Sequence, residues 1–224
     1  MKHLLIIALF SVMTFGLAQA QFEGVVETRN LTTDATGAVQ QFTITMWIKN
    51  DRIRVQVSST GDIPASLMIY RLDRKVTWMI NDDDHSYFEI LRDTQSPNHP
   101  EQPTPSSKAG IQQTGRKKKI LGYVCEQILI KRADQVTELW GTKKLSDLAK
   151  TTSLVLGETE GGALGGWPEE IRKLDLYPLS ASTRIDGKVI EAQETTNVSR
   201  TSVRSDLFEL PSSYRKQEVG ESGQ

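Results

Sequence analysis

Gln41-Phe42-Thr43-Ile44-Thr45-Met46-Trp47-Ile48-Lys49, then Asn50-Asp51, then Arg52-Ile53-Arg54-Val55-Gln56-Val57, reads as strand, turn, strand. Phe42, Ile44, Met46 and Ile48 alternate with Thr and Lys, the period-2 pattern of a strand with one buried face. Asn50-Asp51 is a two-residue turn signal, so the stretch predicts an antiparallel hairpin. Working outward, strands are expected over Phe22–Arg29, Ser66–Leu72, Lys75–Ile80 and Ser86–Leu91, with turns at Asp73-Arg74 and at Asn81 to His85. Further strands are expected over Tyr123–Lys131, Val136–Trp140, Leu179–Ile185 and Lys188–Val198, the last two joined by Asp186-Gly187. Strands at this spacing with polar turns make an antiparallel meander of about nine or ten strands.

Two stretches break the rhythm. Residues 93–119 hold Pro97, Pro100, Pro103 and Pro105 and end in Arg116-Lys117-Lys118-Lys119, which reads as a long mobile insertion. Lys144, Leu145, Leu148 and Ala149 sit at helical spacing, with Leu154 extending the stripe. Gly157 to Gly166 is a glycine-rich loop, and Trp167-Pro168-Glu169-Glu170 enters a second short helix or turn. The helical segment 143–175 is the natural cover for the sheet.

The chain opens with Lys2 and His3, then an apolar run from Leu4 to Leu17, then Ala18-Gln19-Ala20. This is the pattern of a secretory signal peptide cleaved after Ala20. The apolar run of about 14 residues is short of the ~20 that span a bilayer. The expected mature chain is periplasmic or secreted, with no transmembrane segment and a single domain over residues 21–215. Residues 216–224 are expected to be a flexible tail.

The formal charge is −1, with 27 basic against 28 acidic residues, which argues against nucleic-acid binding. Cys125 is the single cysteine, so no internal disulfide forms, and it reads as a small buried hydrophobe on a strand. Only His85 and His99 remain after processing, and no hydrolase, zinc-protease or phosphate-loop motif is present. No catalytic residue, metal or cofactor is expected. Asp82-Asp83-Asp84-His85 reads as a solvated turn rather than a cation site, because its spacing matches no calcium loop.

Several strands are apolar on both faces. Leu67 and Ile69 oppose Met68 and Tyr70; Val76, Trp78 and Ile80 oppose Met79. A sheet with one wet face alternates more cleanly. Either both faces are covered or one lines an apolar cavity. The candidate cavity residues are Trp47, Met68, Tyr70, Trp78, Met79, Trp140 and Trp167, large and adaptable side chains of the kind that line ligand pockets.

Ile120-Leu121-Gly122-Tyr123-Val124-Cys125-Glu126 followed by Glu138-Leu139-Trp140 resembles the I-x-G-Y-x-C-E … E-x-W core of an exported bacterial family, the domain of unknown function numbered 4412. Phe22-Glu23-Gly24-Val25-Val26, Arg52-Ile53-Arg54 and Trp140-Gly141-Thr142 are also similar to that family. The family in turn resembles periplasmic lipoprotein carriers of the LolA and LolB type. That likeness implies a mainly β fold: a single strongly curved antiparallel sheet, an open half-barrel, with one or two helices covering its concave face. It implies that Asp206 to Pro211, with Tyr214, forms a final strand. The function expected is a binding module for a lipid or lipoprotein acyl chain, not an enzyme. The alternative is a non-catalytic envelope protein that binds a protein or glycan partner.

Overall fold

In the computed structural model the described residues are 21–34, 36–59, 65–92, 110–156, 171 and 173–218. Among them are twelve strands: β1 Gly24–Thr33, β2 Val39–Lys49, β3 Arg52–Ser59, β4 Ser66–Arg71, β5 Val76–Asn81, β6 Ser86–Leu91, β7 Gly110–Ile120, β8 Tyr123–Arg132, β9 Gln135–Thr142, β10 Tyr177–Ile185, β11 Lys188–Arg200 and β12 Arg215–Gln217. One helix, α1, spans Ser146–Leu156.

All twelve strands form one sheet in the order β12-β6-β5-β4-β3-β2-β1-β11-β10-β9-β8-β7. The end strands do not pair with each other, so the sheet is not closed into a barrel. Sequential strands neighbour each other from β1 to β6 and again from β7 to β11, as short polar turns require. The two meanders are joined at β1 and β11, whose antiparallel register runs from Gly24 opposite Arg200 to Thr32 opposite Glu191. The centre of the sheet is therefore a seam between the two ends of the chain.

The turns explain the hairpins. Asn50 has φ 52, and the pairs Leu121-Gly122 and Asp186-Gly187 both have positive φ, at 49 and 81 and at 49 and 77. Two-residue turns of that kind match the twist of the strands they join. Gly122 of the family-like motif is there for its backbone, since an added Cβ would meet nothing within 4 Å.

The sheet buries different faces along its width. Directly opposed residues share a face. One cross-strand row reads Val26, Met46, Val55, Met68, Met79, Phe88. It is buried through Val55 and then opens, with Met79 43% exposed. The other row reads Trp47, Arg54, Ile69, Trp78, Glu89. It is half-exposed at Trp47 and buried at Ile69 and Trp78. The buried face thus changes sides between β3 and β4.

Two covers cause this. Leu145, Leu148 and Val155 pack in a cluster with Phe22, Val26, Ile44, Met46, Ile48, Ile53 and Val55. Their spacing is the stripe expected of the helix, except that Val155 continues it while Leu154 is exposed. Thr142 caps the entry, accepting a hydrogen bond from the Lys144 N–H at 3.3 Å. Asp147 in the first turn takes two hydrogen bonds from the Arg200 guanidinium at 3.0 and 2.8 Å, where the helix dipole favours an anion. On the opposite side, Val203 and Phe208, with Leu207 and Leu210, pack on Ile69, Val76 and Trp78. A third cluster joins Ile128, Ile130 and Leu139 to Ile171 and Leu176.

Three expectations need correction. Residues 110–119 do not belong to an insertion; they lie in β7, an edge strand whose polar, outward side chains hide any alternation. Residues 93–109 lie outside the described residues. The segment Asp206 to Pro211 is not a strand: Ser205–Phe208 is a 3-10 turn within a strap across the sheet. Its carbonyls bond to side chains of the strands beneath it rather than to a ladder. Lys49 Nζ reaches Val203 O at 2.7 Å, Arg54 Nη1 reaches Leu207 O at 3.2 Å, and Arg71 Nη1 reaches Phe208 O at 3.2 Å. Finally, the expected tail begins with β12, which pairs in parallel with β6, so the sheet is not wholly antiparallel. Tyr214 starts that return by donating to Asp82 at 2.7 Å and stacking on His85 at 5.3 Å between ring centroids.

Candidate functional site

The strap covers the reverse side of β4 and β5, with Ile69, Val76 and Trp78 buried beneath it. Arg71 is buried to 1% exposure under the strap, a rare place for a guanidinium. It is neutralised by Asp73 at 2.8 Å and Glu209 at 2.7 Å and lies over the Trp78 ring at 5.8 Å. Glu89 receives Lys216 of β12 at 2.6 Å and the Trp78 indole N–H at 3.0 Å, and those bonds, Lys216 first, hold its carboxyl below the usual range.

This network makes a stability prediction. Removing one partner of a fully buried ion pair costs about 3–5 kcal/mol. Asp73 and Glu209 keep 29% and 43% side-chain exposure, so water partly compensates them. Arg71→Ala is expected to cost about 2 kcal/mol. The Arg71 hydrogen bonds also hold the Asp73 carboxyl below its ordinary value. That stabilisation is complete above the unfolded carboxylate range near ~4 and is lost as pH falls through the lower folded value. In urea melts, the gap between the native protein and Arg71→Ala should therefore shrink as pH falls from about 7 to about 3.

The front side of the same strands is open. Met68 and Tyr70 of β4, Met79 of β5, and Phe88 and Ile90 of β6 share one face by register: Met68 opposes Met79, which opposes Phe88, and Thr77 opposes both Tyr70 and Ile90. Met79 is 43% and Ile90 46% exposed; Met68, Tyr70 and Phe88 are half-buried. The Tyr70 hydroxyl donates to Met68 Sδ at 3.4 Å. The exit of α1 borders this face. Arg92 Nη2 donates to the Leu154 carbonyl at 2.8 Å, and its guanidinium lies 6.0 Å from the Tyr70 ring centroid. A cation on the last carbonyls of a helix is favoured there.

Of the residues expected to line a cavity, Met68, Tyr70 and Met79 are brought together. Trp47 and Trp78 lie on the reverse face, packed beneath the strap. Trp140 is across the sheet in β9, donating to Glu138 at 2.6 Å beneath the Lys118 ammonium. Trp167 lies outside the described residues, as do His99, Gly157 to Gly166, Glu169 and Glu170. Phe88 and Ile90 were missed; continuing the β5–β6 register from the turn at Asp82 to His85 would have placed them.

Cys125 is fully buried, and burial pushes its thiol up, away from the reactive thiolate. Asp82 to His85 form the turn expected of them, with the Asp83 N–H bonded to Asn81 Oδ1 at 3.1 Å. Among the described residues no group of three or more His, Cys, Asp or Glu is placed to hold a metal ion.

The family model for the domain of unknown function DUF4412 matches residues 22–214. This chain belongs to that family. The DUF4412 match takes in every described strand but the last, β12. No curated protein matches the chain. An uncharacterized conserved protein from Thermus thermophilus is similar in structure, with 10% identity over 87% of this chain and 90% of that one, at a TM-score of 0.49. PNGF-II is similar at 16% identity and TM-score 0.43; the match covers 89% of this chain and 31% of PNGF-II. A putative outer membrane lipoprotein-sorting protein domain from Vibrio parahaemolyticus is a more distant likeness, 7% identical over 84% of this chain and 90% of that one, at TM-score 0.31. Likenesses this loose assign no ligand or activity to this DUF4412 member. No described helix is long and apolar enough to cross a membrane.

Proposed function

We propose that this protein is a non-catalytic binding module for an apolar ligand, an acyl chain of a lipid or lipoprotein. It works in the periplasm or outside the cell after residues 1–20 are removed. We take the sheet to be a curved half-barrel whose concave face is partly covered by α1. The ligand lies on Met68, Tyr70, Met79, Phe88 and Ile90, beside α1. One observation carries this reading: apolar side chains on three adjacent strands stay open to solvent while the strap covers the reverse side of β4 and β5.

The physical case is simple. Covering apolar surface gains about 25 cal/mol per Å², and an acyl chain gains roughly 0.8 kcal/mol per buried methylene. Two thioethers let the surface follow a flexible chain. Arg92 at the rim would meet an anionic head.

Met79→Glu and Ile90→Glu put a carboxylate in the face at positions already close to half-exposed, so folding should tolerate them. Each is expected to weaken binding of a fluorescent fatty-acid probe by at least about tenfold, since an unpaired charge against an acyl chain costs several kcal/mol. Leu91→Glu, on the reverse side and 75% exposed, is the control and should bind the probe normally. Probe binding by all three variants at the native level would refute the assignment.

A further inference from the structure

The β7–β8 hairpin forms one end of the sheet, with β7 paired to β8 alone. Arg116, Lys117, Lys118 and Lys119 run toward its tip and all are exposed. Lys117 pairs with Glu126 at 3.3 Å, and Lys118 lies 4.3 Å from the Trp140 ring centroid. Among the described residues Arg116 and Lys119 have no such partner. Exposed lysines also guard an edge strand against pairing with another chain, and that would account for the charge alone.

It does not account for the tip. Leu121 has φ 49, and it is the one large apolar side chain among the described non-glycine residues with positive φ, beside Asn50, Lys75, His85, Ala133, Asp175 and Asp186. Asn, Asp and Gly take that conformation readily, whereas a branched apolar residue is strained there. Leu121 is 45% exposed, so packing does not compensate the strain, and Val124 beside it is 50% exposed. Val124 directly opposes Lys119. The hairpin therefore holds an apolar tip out in water beside Lys119, which has no ion-pair partner among the described residues.

We propose that the β7–β8 tip docks on an anionic lipid bilayer, with Leu121 and Val124 entering the interface and Arg116 and Lys119 meeting the headgroup phosphates. Apolar burial and attraction to anionic lipid act together in such contacts. The surface is separate from the face on β4 to β6 and does not depend on what that face binds.

The test is sedimentation of the chain from Gln21 onward, which holds all twelve strands and α1, with vesicles. Vesicles of phosphatidylglycerol and phosphatidylethanolamine should carry it down, and phosphatidylcholine vesicles should not. Each basic residue near an anionic surface is worth about a fivefold change in partition, so Arg116→Gln with Lys119→Gln should lower it roughly twentyfold. Leu121→Asn gives the turn a residue it prefers, so the fold is kept or strengthened. It should lower partition about tenfold while leaving fatty-acid probe binding unchanged. Equal sedimentation with both vesicle types would overturn the proposal. So would a Leu121→Asn chain that still binds like the native one while the double Gln variant does not. That result would mean that charge alone carries the contact and no apolar side chain enters a bilayer, leaving an acidic glycan as the partner to test next.

Discussion

Gly24→Ala is expected to be the most damaging single methyl group in the molecule, costing about 4 kcal/mol or more. An added Cβ would run into the Ser199 carbonyl oxygen and stand 3.0 Å from its carbon and 3.1 Å from Arg200 Cα. Those are backbone atoms, so no side chain can swing aside. β11 cannot retreat either, because it is bonded to β1 on one side and β10 on the other. Gly24 sits where the two meanders meet, and forcing that seam open uncouples both halves of the sheet. A domain of ordinary stability, about 5–15 kcal/mol, would be left marginal or unfolded. Urea melts of Gly24→Ala beside Gly122→Ala make the measurement. Gly122 has positive φ but open space around it, so its substitution should cost only about 1 kcal/mol. Equal midpoints for the two variants would show that the seam is not as tight as its geometry states.

Phe208→Ala carries the second large effect, about 3–5 kcal/mol. Its ring is fully buried against the sheet in the cluster with Ile69, Val76, Val203 and Trp78. Without it the strap keeps its polar ties to Lys49, Arg54 and Arg71 but loses the side chain that anchors it. The reverse side of β4 and β5 would then be exposed along with the front, leaving Trp47 and Trp78 wet. Calorimetry or urea melts should report the loss, and a dye that fluoresces on apolar surfaces should bind more strongly. A cost below about 1 kcal/mol would mean that the strap is not part of the core.

The hairpins were readable from the sequence because their information is local. Phe42, Ile44, Met46 and Ile48 alternate within one strand, and the Asn50-Asp51 turn sets its register with the next. The two-sided apolar pattern of β4 and β5 was also readable, as Leu67 and Ile69 against Met68 and Tyr70. Which side is sealed was not. That depends on Arg71 meeting Phe208, 137 residues away, and nothing near either residue announces the contact. For the same reason the sequence did not reveal that Trp47 and Trp78 lie under the strap, apart from Met68, Tyr70 and Met79. β7 escaped notice because an edge strand exposed on both faces carries no hydrophobic period. β12 has three residues and is held by Lys216, Gln217 and Tyr214 contacting Glu89, Asp84 and Asp82, none of which is a strand signal.

The central claim is that the open face of β4 to β6 holds an apolar ligand. Native mass spectrometry on protein purified from its own cell envelope without detergent tests it most directly. The expected result is a discrete added mass that denaturation releases as lipid and that Met79→Glu abolishes. A bare protein mass, unchanged when phospholipid or lipopeptide is added, would contradict the claim and leave a protein or glycan partner as the reading to pursue.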